Sequence, residues 1–134
     1  MKDDDDGKIS VLVIEDDEVF KQFLKKFLKE KGMNVSLASN GLEGLAKIEK
    51  QHFDLIITDL KMPKMNGMDF LKELKNKKGN DVAVIVLTAY GEMDNYVQAI
   101  DWGVYEFLHK PVDVEVLSEI IEKAVSERNI RKNQ

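Results

Sequence analysis

Five short apolar runs are distributed along the chain, and their composition predicts β-strands. Three of them consist mostly of leucine and β-branched residues, which is typical of strands buried on both faces of a parallel sheet. The other two are weaker candidates because they contain more polar residues. The predicted strands are residues 9–14, 34–38, 55–57, 82–87 and 105–108.

Between these runs, apolar residues recur every three or four positions, which predicts amphipathic helices. Gly32 follows the first helix where a helix end favours a left-handed residue, and Asn40 with Glu43 forms a capping pair that opens the second. The apolar positions of the five helices are Val19, Phe20, Phe23, Leu24, Phe27 and Leu28; Leu42, Leu45, Ala46 and Ile48; Met68, Leu71 and Leu74; Met93, Tyr96, Val97 and Ile100; and Leu117, Ile120, Ile121, Ala124 and Val125.

The strict alternation of strand and helix predicts the fold class. Five βα units predict an α/β protein with three layers, in which a parallel sheet lies between helices and the crossovers are right-handed. In open sheets of this kind, ligands bind beyond the carboxyl ends of the strands. The residues that follow each predicted strand are therefore the first place to look for a functional site.

Composition limits both the number of domains and the kind of chemistry. The 134 residues suit one domain, which we assign to residues 9–127. Residues 1–8 contain four consecutive aspartates and are expected to be disordered, and residues 128–134 are expected to be a polar helix end or linker. The net charge of −5 argues against direct binding of nucleic acid, and no apolar run is long enough to cross a membrane. The absence of cysteine excludes disulfides and thiolate metal sites.

Acidic, hydroxyl and basic side chains follow the predicted strands at one edge of the sheet. Carboxylates that crowd together repel one another, and a hard cation such as Mg²⁺ or Mn²⁺ relieves this repulsion. Lysine and threonine can donate to phosphoryl oxygens, and an aspartate beside a metal can itself become phosphorylated. The residues are Glu15, Asp16 and Asp17 after the first strand, Asp59 after the third, Thr88 after the fourth, and Lys110 with Pro111 after the fifth.

Four runs lie at the ends of predicted strands: VLVIEDD at residues 11–17, DLKMPKMNG at 59–67, VLTA at 86–89 and FLHKP at 107–111. In these runs the chain resembles the receiver domain of bacterial two-component response regulators. The resemblance covers about residues 8–127. It implies a flavodoxin-like, doubly wound (βα)5 fold whose five-stranded parallel sheet has the order 2-1-3-4-5.

The resemblance implies that Asp59 is the phosphoacceptor. Glu15 and Asp16 would be the acidic pair that holds Mg²⁺, or Mn²⁺ in its place, with Asp59 and the backbone carbonyl of Lys61 as further ligands. The acidic pair could instead be Asp16 and Asp17. We favour Glu15 and Asp16 because they directly follow the strand, which leaves Asp17 to cap the next helix.

The resemblance also assigns roles around the phosphoryl group. Thr88 and Lys110 would bind the phosphoryl oxygens. Thr88 would move inward after phosphorylation and Phe107 would rotate into the space that it leaves, which changes the surface formed by the fourth helix, the fifth strand and the fifth helix. We also expect a cis peptide bond before Pro111. Lys61 and Tyr90 occupy positions that tune the rate of dephosphorylation, and their size predicts a slow rate.

By the same resemblance, the protein is a cytoplasmic signalling switch rather than an enzyme. Its partners would be a sensor histidine kinase or a histidine phosphotransfer protein, and a downstream effector domain or protein, with the chain as a monomer or as a dimer that forms on phosphorylation.

One alternative is a degenerate receiver that acts only as an interaction module, although the intact set of acids, threonine and lysine argues against it. A haloacid-dehalogenase-type phosphatase is less favoured because Asp59-Leu60-Lys61 lacks the second aspartate of that motif. No P-loop motif is present, and a flavin-binding module would not need the acidic cluster.

Overall fold

The computed structural model describes residues 7–61, 64–65, 67–78, 82–89 and 103–132. Within these ranges, strands and helices alternate from the first strand onward. The strands are β1 (Ser10–Ile14), β2 (Asn34–Ala38), β3 (Leu55–Asp59), β4 (Ala83–Thr88) and β5 (Val104–His109), and the helices are α1 (Glu18–Glu30), α2 (Gly41–Lys50), α3 (Gly67–Lys78) and α4 (Val114–Lys132). The fourth predicted helix falls in residues 90–102, outside the described residues, so α4 is the fifth helix of the sequence prediction.

The five strands form one parallel sheet in the order β2-β1-β3-β4-β5, which confirms the predicted fold. The strands are in register at their carboxyl ends. Ile14 of β1 pairs with Thr58 of β3, Asp59 with Leu87 of β4, and Thr88 with His109 of β5. The residues that leave these strands therefore meet at one edge, as the sequence analysis expected.

Two apolar cores, one on each face of the sheet, make the fold a three-layer structure. Alternate strand residues point to opposite faces, so neighbouring residues of β1 contribute to different cores. Leu12 packs with Leu45 of α2 and Phe70 of α3, whereas Val13 packs with Leu24 of α1 and Leu117 of α4. Of the described helices, α2 and α3 cover one face and α1 and α4 cover the other, and the acidic residues lie at the edge beyond the carboxyl ends of the strands.

The buried face of α1 is narrower than its apolar pattern suggests. Leu24 and Leu28 are fully buried, but Phe23 is 48% exposed and Val19 is 81% exposed. At about 100° per residue, the six apolar positions spread over about 180° of the helix, more than one packed face needs. The structure thus corrects the expectation that all six residues belong to a single core-facing stripe.

The contact between α2 and the sheet also differs from its apolar pattern. Leu45 and Ile48 are buried as expected, but Leu42 is 51% exposed. Gly41 and Gly44 are buried on the packed face instead. A Cβ atom on Gly44 would lie 2.6 Å from Cδ1 of Ile14. Gly44 therefore permits a close approach of α2 to β1 that a larger residue would prevent.

Polar side chains fix the ends of the first two helices. Asp17 caps α1 by accepting a hydrogen bond from the Phe20 amide at 3.1 Å, which confirms its expected role. Asn40 caps α2 by accepting from the Glu43 amide at 2.9 Å. After α1, Gly32 has φ +90° and lies in the left-handed region expected at that position.

Several expectations concern residues outside the described part of the chain. Disorder was predicted for residues 1–8, of which 1–6 fall outside it, and the assignment of one domain to residues 9–127 stays a prediction. The predicted end segment begins at residue 128, and α4 extends through Lys132. Among the described helices, none combines the length and apolar character needed to cross a membrane.

Candidate functional site

Three carboxylates come together at the carboxyl edge of the sheet. Glu15 directly follows β1 and is 1% exposed, while Asp59 is the last residue of β3 and is also buried. Asp16 lies beside them and is exposed. One carboxylate oxygen from each of Glu15, Asp16 and Asp59 can be chosen so that all three lie within 4.8 Å of one another. The structure therefore brings together the three acidic side chains that the sequence analysis placed at the metal site.

Lys110 enters this acidic cluster from the end of β5. Its Nζ atom lies 2.8 Å from Oδ2 of Asp59 and 3.0 Å from Oε1 of Glu15. The backbone amide of Lys110 donates to the carbonyl of Thr88 at 2.8 Å, and the following bond to Pro111 is cis. The ammonium thus offsets the repulsion between two buried carboxylates.

The environment shifts the ionisation of both partners of this bridge. Burial raises the pKa of the Glu15 carboxyl, and the hydrogen bonds from the Asp17 amide and the Lys110 ammonium oppose this rise without cancelling it. Burial alone would lower the pKa of Lys110, but its hydrogen bonds to Asp59 and Glu15 raise that pKa overall. Lys110 is therefore held in its charged form at neutral pH.

The second oxygen of Asp59 is also engaged. The backbone amide of Lys61, two residues further along the chain, donates to Oδ1 of Asp59 at 3.1 Å. Lys61 itself is exposed. Both oxygens of the Asp59 carboxylate are therefore held, one by the Lys61 amide and the other by Lys110. That the carbonyl of Lys61 is a metal ligand stays a prediction.

Asp17 does not take part in the cluster through its side chain. Its carboxylate caps α1, while its backbone amide donates to Oε2 of Glu15 at 3.0 Å. This amide orients Glu15, whose other oxygen accepts from Lys110. The arrangement supports the pair Glu15 and Asp16 over the pair Asp16 and Asp17.

Thr88 and Phe107 lie on neighbouring strands beside the cluster. Thr88 is fully buried, and its hydroxyl donates to the carbonyl of Ala89 at 2.9 Å rather than to Asp59. Phe107 pairs with Val86 across the sheet and is partly buried against the core beneath α2 and α3. Their switching roles stay predictions, and Tyr90 lies outside the described residues.

Two contacts made by side chains of α1 were not predicted from the sequence. The ring of Phe20 lies 4.9 Å, measured to its centroid, from Nζ of Lys110. Lys21 is buried and donates to the Ser39 hydroxyl at 2.6 Å. The position of Lys21 beside the buried face of α1 could have indicated its burial. Nothing in the local sequence signals the contact of Phe20, because its partner is 90 residues away.

The donor set fits a hard divalent cation. The cluster offers carboxylate oxygens from Glu15, Asp16 and Asp59 and contains neither histidine nor cysteine. Two of the three acids are buried while one ammonium lies among them, which leaves an excess of negative charge. Oxygen ligands of this kind suit Mg²⁺ or Mn²⁺.

Comparison with known proteins gives a consistent result. Residues 11–122 match the family model described as "Response regulator receiver domain". The chain is 35% identical over 120 residues to the transcriptional regulatory protein ZraR of Salmonella typhimurium, which covers 90% of the chain and 27% of ZraR. The chain thus spans about a quarter of the length of that relative.

Solved structures resemble the chain over nearly its whole length. A response regulator receiver domain protein from Clostridium thermocellum has a TM-score of 0.85 and 38% identity, covering 91% of this chain and 98% of that one. The response regulator TrrA from Thermotoga maritima, solved in complex with Mg²⁺ and BeF, has a TM-score of 0.78 and 31% identity, covering 87% and 98%.

Proposed function

The chain belongs to the family of response regulator receiver domains, and on that premise we propose that Asp59 accepts a phosphoryl group in two-component signalling. The observation that carries the proposal is the position of the Asp59 carboxylate. It lies at the end of β3, within the acidic group of Glu15 and Asp16, and Lys110 donates to it at 2.8 Å. An aspartate in this environment is oriented and electrostatically prepared for attack on phosphorus.

The phosphodonor is a phosphohistidine on a sensor histidine kinase or a histidine phosphotransfer protein. A carboxylate oxygen of Asp59 forms the new bond to phosphorus while the bond from phosphorus to the histidine nitrogen breaks. The imidazole leaves with the bonding electrons and takes up a proton, and Asp59 becomes an acyl phosphate. Water later cleaves this acyl phosphate and resets the switch, so the protein acts as a switch rather than as an enzyme that turns over a substrate.

Glu15, Asp16, Asp59 and the carbonyl of Lys61 would hold Mg²⁺, with Mn²⁺ as the alternative ion. The bound cation supplies positive charge that offsets the repulsion between the carboxylate and the phosphoryl group. The close acidic group supports this assignment. TrrA, which resembles this chain, was solved with Mg²⁺ and BeF.

Thr88 and Lys110 bind the phosphoryl oxygens and connect the site to the rest of the fold. Lys110 already donates to Asp59, and the hydroxyl of Thr88 is bonded to a backbone carbonyl that it can exchange for a phosphoryl oxygen. Rotation of Phe107 then follows the movement of Thr88. This shifts the surface formed by β5, α4 and the segment between β4 and β5 toward its active form.

The output is an effector domain or protein, and the location is the cytoplasm. ZraR is a transcriptional regulatory protein, and the matched region is about a quarter of its length, which leaves room there for further domains. We propose that the chain passes its signal by the phosphorylation-dependent surface, as a monomer or as a dimer that forms on phosphorylation. Lys61 and Tyr90, of which Tyr90 lies outside the described residues, lengthen the life of the phosphoryl group.

Incubation with acetyl phosphate tests this function directly. In the presence of Mg²⁺, the intact mass of the protein should increase by one phosphoryl group, and the increase should be absent in Asp59→Asn or when EDTA removes the metal. A folded protein that binds Mg²⁺ but gains no phosphoryl group from acetyl phosphate or from histidine kinases would instead favour the degenerate receiver.

A further inference from the structure

Phe20, on the first turn of α1, is placed to control the position of Lys110. We propose that Phe20 is a positioning residue that holds the Lys110 ammonium against the two buried carboxylates, and that it acts on phosphorylation of Asp59 through Lys110. The inference rests on the proposed function of Asp59 only for the expected effect on the rate of phosphorylation. The contact itself is a property of the fold, with Nζ 4.9 Å from the centre of the ring.

A closed circuit of contacts joins Phe20 to the site. Lys110 donates to Oε1 of Glu15, and Oε2 of Glu15 accepts from the Asp17 amide. The Asp17 carboxylate accepts from the Phe20 amide, and the Phe20 ring returns to Lys110. The backbone position of Phe20 is therefore fixed by the same residue that orients Glu15, so the ring and the carboxylate are presented to the ammonium together.

The number of donors on the ammonium gives the ring a defined role. A lysine ammonium has three N–H groups, and two of them are used by Asp59 and Glu15. The face of an aromatic ring is electron-rich and attracts the cation without competing for the carboxylates as a water molecule or another acid would. Phe20 thus restrains the flexible lysine side chain while it leaves both ion pairs intact.

The surroundings of Phe20 support a specific role for this ring. Phe20 is partly buried against the core shared by α1 and α4, so its position does not depend on Lys110. It stacks with Phe23 at 6.2 Å, and Phe23 stacks with Phe27 at 6.5 Å. The Phe27 ring also makes a contact with a cation, because Nζ of Lys31 lies 5.5 Å from its ring centre. Phe27 therefore offers a matched control, with the same residue type on the same helix and with a cation contact far from the acidic cluster.

The test compares Phe20→Leu, which keeps the apolar volume but removes the ring face, with Phe20→Trp, which keeps a ring face, and with Phe27→Leu. The first measurement is the proton shift of the Lys110 ε-methylene group by NMR in the metal-free protein. The ring current of Phe20 should displace this resonance in the wild type. Phe20→Leu should abolish the displacement, Phe20→Trp should retain a ring-current shift, and Phe27→Leu should leave Lys110 unchanged.

The second measurement is the rate of phosphorylation by acetyl phosphate at saturating Mg²⁺. Phe20→Leu should lower the rate about three- to tenfold. A rate change of this size is within the range expected when a cation–π contact is lost. Phe20→Trp should restore most of the rate, and Phe27→Leu should leave it unchanged. Thermal unfolding of each variant confirms that it remains folded.

The outcomes separate this inference from the proposed function. An unchanged Lys110 resonance in Phe20→Leu overturns the positioning role, whether or not the protein is phosphorylated. If the wild type is phosphorylated, an equal rate in Phe20→Leu, or an equal loss in Phe27→Leu, also overturns it. If the wild type is not phosphorylated by any donor, the proposed function fails, and the Lys110 resonance alone decides whether Phe20 positions the ammonium.

Discussion

Lys110 and Asp59, which are 51 residues apart in the sequence, form an ion pair in which Nζ lies 2.8 Å from Oδ2. The same ammonium reaches Glu15 at 3.0 Å. Removing one partner from such a group leaves uncompensated charge at a partly buried site. The ammonium therefore neutralises part of the negative charge that would otherwise attract a divalent cation.

Lys110→Ala should bind Mg²⁺ more tightly than the wild type, because the carboxylates of Glu15 and Asp59 lose their fixed counter-charge. We expect the dissociation constant for Mg²⁺ to fall about three- to tenfold. A change of this size corresponds to a modest part of the Coulomb energy of a unit charge at this distance. Isothermal titration calorimetry at constant ionic strength measures it. Lys123→Ala, an exposed lysine on α4, is the control and should match the wild type. An unchanged or weaker affinity in Lys110→Ala would contradict this account of the charge balance.

Thr88→Ala should uncouple phosphorylation of Asp59 from the response of Phe107. The hydroxyl is the group that would move to the phosphoryl oxygen, so its loss should leave the phosphoryl mass increase in place but abolish the change in the aromatic NMR resonances of Phe107. Thr88→Ser should restore the response. Thr58 is a matched control, because it is also fully buried and its hydroxyl also donates to the next carbonyl. A full Phe107 response in Thr88→Ala would refute the coupling.

Lys61→Ala should shorten the life of the phosphoryl group. The amide of Lys61 lies 3.1 Å from the Asp59 carboxylate and its side chain is exposed, which suits a role in screening the site from water. We expect dephosphorylation to accelerate about two- to fivefold when this screen is removed, and Tyr90→Ala to act in the same direction. Loss of the phosphoryl mass with time after removal of the donor measures the rate. Lys72→Ala on α3 should have no effect, and a lifetime that does not shorten in either variant would show that these side chains do not screen the site.

The sequence was sufficient to predict the features that depend on local pattern. Strand positions followed from short β-branched runs, and the role of Asp17 followed from its place before an amphipathic helix. Features that depend on contacts between residues far apart in the chain could not be predicted from the sequence. The apolar residues Val19 and Leu42 are exposed because helices carry more apolar positions than one packed face uses. The neighbourhood of Lys110 and Phe20 is created only when β5 and α1 meet at the same edge of the sheet.

Gly44→Ala should destabilise the fold, although alanine is the better helix former. The added Cβ would meet Ile14 at 2.6 Å and Phe70 at 3.3 Å, and both side chains are fully buried. Overpacking typically costs about 1–3 kcal/mol, and over most of this range the cost outweighs the gain in helix propensity of about 1 kcal/mol. Urea unfolding measures the difference. Ala46→Gly on the exposed side of α2 reports the propensity alone, and a gain in stability of that size in Gly44→Ala would contradict the close approach.

The most direct test of the central claim is to locate the phosphoryl group. After phosphorylation with acetyl phosphate and Mg²⁺, borohydride reduces an aspartyl phosphate to homoserine, and peptide mass spectrometry then identifies the altered residue. We predict homoserine at position 59 in the wild type, and no reduced residue in Asp59→Asn. Homoserine at another aspartate with an unmodified Asp59, or a phosphorylated protein in which no carboxyl group is reduced, would contradict the assignment of Asp59 as the phosphoacceptor.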